Sequence, residues 1–124
     1  MTSREYLTQV KRLHDLIQEE ESDLDDFSDL EEEPEGTANG KEAYLKRVQV
    51  LNDLYQKHKE VYPKMQERIR RKISGLKIDR ERQVLTLRYL DLLEWDDVAY
   101  QMDGTNDAAW GVHKRALKHF SELI

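Results

Sequence analysis

The sequence predicts an all-α protein, and three observations carry that expectation. Only two prolines and five glycines interrupt 124 residues, which leaves room for long helices. Alternating runs of Val, Ile, Thr and aromatic residues, the mark of half-buried strands, are absent. Apolar side chains instead recur at three- and four-residue steps. With 38% hydrophobic and 37% charged residues, one compact core using the whole chain is not expected. The length fits one small domain, or a small module with an appended helical arm.

The first element, residues 1–18, reads as an amphipathic helix. Tyr6, Leu7, Val10, Leu13, Leu16 and Ile17 form its apolar stripe, and Ser3 is the expected N-cap. Residues 19–40 read as an acidic flexible linker that ends in a helix-breaking Gly36–Gly40 stretch, because blocks of like charge resist compaction. Leu24, Phe27 and Leu30 are spaced for a short helix with one apolar edge inside that run. The net charge of −6 belongs to this end of the chain. Residues 1–40 hold three bases (Arg4, Lys11, Arg12) against thirteen acids, whereas residues 41–124 hold seventeen against thirteen. The overall sign therefore does not argue against nucleic-acid binding elsewhere.

Residues 41–75 read as one long coiled-coil-like helix. Val48, Leu51, Tyr55, His58, Tyr62, Met65 and Ile69 alternate three- and four-residue steps, a heptad seam that Leu45 and Leu54 widen. The seam must pack on the first helix, on a second copy, or on both. Val48, Leu51, Tyr55, Tyr62, Met65 and Ile69 are the expected homodimer contacts. Pro63 predicts a kink or a break, and Ser74-Gly75 ends the helix. Eight bases against three acids lie between Lys64 and Arg82, which reads either as a solvated face or as a phosphate-facing patch.

Residues 79–124 read as three helices with a helix-turn-helix corner. Asp79 is the expected cap of a helix running through Val84, Leu85, Leu87, Tyr89 and Leu90 to Leu92-Leu93. Trp95, Val98, Ala99 and Met102 share one face of a short second helix. Asp103-Gly104 make the turn, with glycine expected to supply a positive φ, and Thr105 caps the last helix. That helix turns Ala109, Val112, Ala116, Leu117 and Phe120 inward and Lys114, Arg115 and Lys118 outward. This is the arrangement that lets a helix enter the major groove.

Three stretches carry a resemblance: Gln83–Leu90, Trp95-Asp96-Asp97-Val98-Ala99 and His113-Lys114-Arg115-Ala116-Leu117. Together they resemble region four of bacterial sigma factors, and more so the small phage and prophage late-transcription regulators of the ArpU/RinA kind. The resemblance covers the last 45 or so residues, with a weaker likeness in the Glu5-Tyr6-Leu7 opening. It implies a sequence-specific regulator that binds double-stranded phage DNA upstream of a late or packaging operon in the bacterial host cytoplasm, and the heptad seam adds the expectation that it acts as a dimer. The contact face carried over from the family is Thr105, Asn106, Asp107, Trp110, Gly111, Lys114 and Arg115, with phosphate contacts expected from Arg80, Arg82 and Lys118. The chain departs from the family where Asp107, Ala108, Trp110 and Gly111 replace groove-reading side chains. From Gln83 to Val112 one base, Arg88, faces six acids. The alternative is a protein-interaction module docking on host RNA polymerase or another phage protein.

The absence of cysteine excludes disulfides and thiolate metal sites and suits a reducing compartment. No signal-peptide core or membrane-spanning apolar run is present, so a soluble intracellular protein is expected. The four histidines show no chelating spacing, and neither a phosphate loop nor a nucleophile elbow occurs. The chain reads as a non-enzyme without cofactor, metal or small-molecule ligand.

Overall fold

The computed structural model describes residues 1–28 and 38–124. They form helices α1 (Ser3–Leu7), α2 (Gln9–Ser28), α3 (Ala38–Ile73), α4 (Asp79–Leu85), α5 (Trp95–Gln101) and α6 (Asn106–Phe120), with a π-helical turn, Thr86–Leu90, extending α4. No strand occurs among the described residues, so the all-α expectation holds. No described helix is long and apolar enough to cross a membrane. The chain divides into two compact units, Leu13–Tyr62 and Met1–Arg12 together with Pro63–Ile124.

The Leu13–Tyr62 unit is an antiparallel hairpin of α2 on α3. His14 packs against Tyr62 with ring centroids 6.2 Å apart, and Phe27 meets Tyr44 edge-on at 5.5 Å. Between them a ring N–H at Nδ1 of His58 donates to the Glu20 carboxylate, 2.8 Å and 3.0 Å from its two oxygens. The acidic stretch is therefore helical as far as Ser28 rather than a linker from residue 19. Two things make that possible. Glu19, Glu21, Asp23, Asp25 and Asp26 all face solvent, and the one acid turned inward, Glu20, is met by His58. Leu24 and Phe27 supply the apolar edge. The remainder of the expected linker, with Leu30, lies outside the described residues.

Of the kink or break expected at Pro63, the break does not occur, since α3 runs through it. Proline forfeits one backbone bond and crowds the carbonyl four residues back. The ring is exposed, and the boundary between the two units falls immediately before it.

The other unit has a continuous apolar core. Ile69, Ile73 and Leu76 from the end of α3 meet Val84, Leu85, Tyr89 and Leu90, then Val98, Ala99 and Met102, then Ala109, Val112, Ala116 and Phe120. Leu7 and Val10 are buried in the same unit. Tyr6 lies 5.8 Å from Phe120, and the Ser3 hydroxyl donates to the Leu117 carbonyl at 2.8 Å. The N-terminal helix is thus a fourth wall of the helix-turn-helix, not a separate arm. Ser3 is not the N-cap either. Thr2 takes that role, accepting from the Glu5 N–H. At α4 the expected cap shifts by one, with Ile78 at the cap position and Asp79 inside the helix, where it pairs with Arg82.

These contacts revise the expected dimer seam. Ile69 is 1% exposed within its own unit, so it has nothing to offer a second copy. Val48, Leu51, Tyr55 and Tyr62 are half-buried on the row of α3 that holds Tyr44 and His58, the row that meets α2. Met65 is half-buried as well.

Candidate nucleic-acid interface

The corner between α5 and α6 is built from backbone geometry. The Gly104 N–H donates to Ala99 at 3.0 Å and the Asp103 N–H to Tyr100 at 3.2 Å, the paired bonds of a Schellman ending. The left-handed residue this motif needs is Asp103, at φ 55°, and not the glycine after it. Aspartate tolerates that region better than most side chains. Thr105 then caps α6 as expected, its hydroxyl accepting from the Ala108 N–H at 3.1 Å.

With Ala109, Val112, Ala116 and Phe120 inward, α6 presents Asn106, Asp107, Trp110, Lys114, Arg115 and Lys118 outward. The expected contact residues differ in how free they are. Asn106 is held by Asp96, its amide donating at 2.6 Å, so its side chain is already engaged by an acid. Arg82 is spent on structure: it donates to the Leu76 carbonyl and pairs with Asp79. Arg80 is exposed. Arg115 and Lys118 are exposed and form no ion pair among the described residues. Lys114 lies 6.0 Å from the Trp110 ring centroid.

Around Trp110 the fold gathers residues that sequence reasoning did not combine. Trp110 meets Trp95 edge-on at 5.1 Å, and both rings lean on His113, at 4.9 Å and 4.8 Å. The Arg88 guanidinium sits 4.9 Å over Trp95, and Arg4, from the N-terminal helix, 5.9 Å over Trp110. Cations over indole faces are held by the ring quadrupole, and Arg88 also donates to the Leu93 carbonyl at 2.8 Å and stands 3.9 Å from the Glu94 carboxylate. Arg4, Thr8, Arg88, Tyr89, Trp95, Trp110 and His113 line a cavity of about 240 Å³.

Two arginines act on the buried groups of this cluster. Burial, then the charges of Arg4 and Arg88, lower the His113 pKa to about 4. The ring is therefore neutral at pH 7. Burial raises the Tyr89 phenol above its usual range, opposed by the same two arginines. The Tyr89 hydroxyl lies 2.6 Å from Nε2 of His113. The other ring nitrogen, Nδ1, is buried without a hydrogen-bond partner among the described residues. Arg88 was legible as the single base among six acids from Gln83 to Val112. Arg4 carried no such signal, because only the docking of α1 on α6 brings it here.

Residues 34–121, well over half of the chain, match a family described as protein of unknown function, DUF1492. The match spans α3 to α6 and leaves α1 and α2 outside it. No curated protein and no solved structure matches the chain. The chain belongs to the DUF1492 family.

Proposed function

We propose that this protein is a sequence-specific DNA-binding regulator of transcription, acting on phage or prophage late genes as the likeness of its last 45 or so residues to such regulators implies. One observation carries the reading. A capped helix, set beyond a tight corner, turns Trp110, Lys114, Arg115 and Lys118 outward, with Arg4 and Arg88 gathered beside them over indole rings. Guanidinium and ammonium groups so placed suit backbone phosphates. The Trp110 ring, 38% exposed, offers an apolar surface for a thymine methyl. The acids of this region run from Asp91 to Asp107; Asp96 holds Asn106, and Glu94 stands 3.9 Å from Arg88.

The test is binding of the purified protein to duplex DNA from its own upstream region across a salt series. Logarithmic affinity should fall steeply with logarithmic salt. Affinity that stays flat from low to moderate salt sinks the phosphate mechanism.

A second reading, docking on host RNA polymerase, is favoured by Tyr100. This side chain is 79% exposed on α5, where Asp96 and Asp97 are also exposed. Exposed aromatic groups of this kind are characteristic interface anchors. Direct binding to purified polymerase that Tyr100→Ala abolishes supports it. Unchanged binding by that variant removes it.

A further inference from the structure

The Leu13–Tyr62 hairpin does not enclose a core. Among its described residues only Leu13 and Glu20 are buried, and the remaining inward side chains stay half-exposed. A second row of α3 lies beside the row that meets α2: Arg47, Val50, Leu54, Lys57 and Val61, at alternating three- and four-residue steps. All five are exposed, Val50 at 59% and Leu54 at 44%, and an apolar groove of about 340 Å³ runs along Val50, Leu51 and Leu54 with Lys46 and Arg47 at its edge. α2 has a matching row, Leu16, Glu19, Asp23 and Asp26, exposed at the same steps.

Each row sits one residue before the inward row of its own helix: 16, 19, 23 and 26 beside 17, 20, 24 and 27; 47, 50, 54, 57 and 61 beside 48, 51, 55, 58 and 62. The same rotation on two antiparallel helices turns both rows to the same side of the hairpin. That side therefore carries a basic and aliphatic row next to an acidic one. Glu19, Asp23, Asp26, Arg47 and Lys57 make no ion pair among the described residues.

We infer that this side of the hairpin is a self-association surface whose occupant is a second copy of the same chain, α3 of each copy lying on α2 of the other. A two-fold contact requires a self-complementary surface. Here both halves of the complement are on one chain. Pairing two hairpins encloses the half-exposed inward rows as a four-helix bundle does. The inference does not depend on the DNA reading.

Sedimentation equilibrium of the full chain tests it. A dimer is expected. Leu54→Glu, at an exposed position, should weaken the dimer roughly a hundredfold or more while circular dichroism stays helical. Arg47→Glu/Lys57→Glu and Glu19→Lys/Asp23→Lys/Asp26→Lys should each be largely monomeric alone, and should form a mixed dimer when combined. A wild-type monomer at every concentration overturns the inference. So does a dimer unaffected by Leu54→Glu, or a pair of charge variants that do not recognise each other.

Discussion

The Tyr89 hydroxyl lies 2.6 Å from Nε2 of His113, joining the π-helical turn after α4 to the middle of α6. The imidazole is 1% exposed, and its pKa is lowered to about 4 by burial and by Arg4 and Arg88. The unfolded chain takes up the His113 proton near the ordinary histidine value of 6.5, the folded one only near 4. The stability this group contributes is thus complete above pH 6.5 and is lost as pH falls from there toward 4. Near pH 4.5 the loss attributable to His113 is about 2–3 kcal/mol. Urea midpoints of wild type and His113→Gln should converge on acidification from pH 7.5 to 4.5. A gap between them that stays constant would mean that His113 does not titrate on unfolding.

In the proposed DNA reading, Arg88 and Arg4 join the expected phosphate contacts. Each is held over an indole, Trp95 and Trp110 respectively, next to the outward face of α6. If the DNA reading holds, Arg88→Ala and Arg4→Ala should each lower affinity evenly across sequences. Each should also reduce the logarithmic salt slope by about 1, as expected for one phosphate. Arg82→Ala should leave the slope unchanged, since Arg82, unlike Arg4 and Arg88, does not line the cavity around Trp110 and is bound to the Leu76 carbonyl and Asp79. A slope that falls for Arg82→Ala and not for Arg88→Ala reverses the assignment.

At the corner, Asp103 and Gly104 should respond oppositely to what their residue types suggest. Asp103 holds φ 55°, so Asp103→Gly should be neutral or stabilising by up to about 1 kcal/mol. Gly104 is outside the left-handed region, and a Cβ there meets nothing closer than Ala108 Cβ at 3.7 Å. Gly104→Ala should therefore be tolerated. Thermal melts decide the matter, and a large loss for Gly104→Ala would show that the strained position is the glycine.

Much of this architecture was legible because it follows from periodicity and capping chemistry. Thr105 as a cap, the inward set Ala109, Val112, Ala116 and Phe120, and the outward Lys114, Arg115 and Lys118 all follow from three- and four-residue spacing. What failed was long-range or depended on a single partner. Glu20 makes helix out of a stretch that composition marks as linker, because His58, 38 residues later, meets its carboxylate. The heptad seam of α3 was real, but periodicity does not say which partner covers it, and α2 meets that row. Arg4 reaches Trp110 only because Leu7 and Val10 are buried in the unit that α6 belongs to.

The N-terminal helix should behave as part of the helix-turn-helix. Leu7 is fully buried, the Tyr6 ring lies against Phe120, and the Ser3 hydroxyl donates to the Leu117 carbonyl. Leu7→Ala removes buried methyl groups and leaves a cavity, so a loss of about 2–5 kcal/mol is expected. Ser3→Ala, which removes one hydrogen bond, should cost about 1 kcal/mol. Both should appear in the unfolding followed by Trp95 and Trp110 fluorescence, since these indoles lie beside Arg4 and Thr8 around one cavity. An appended arm would give a different result, with Leu7→Ala leaving that transition in place and only the helicity of the first residues falling.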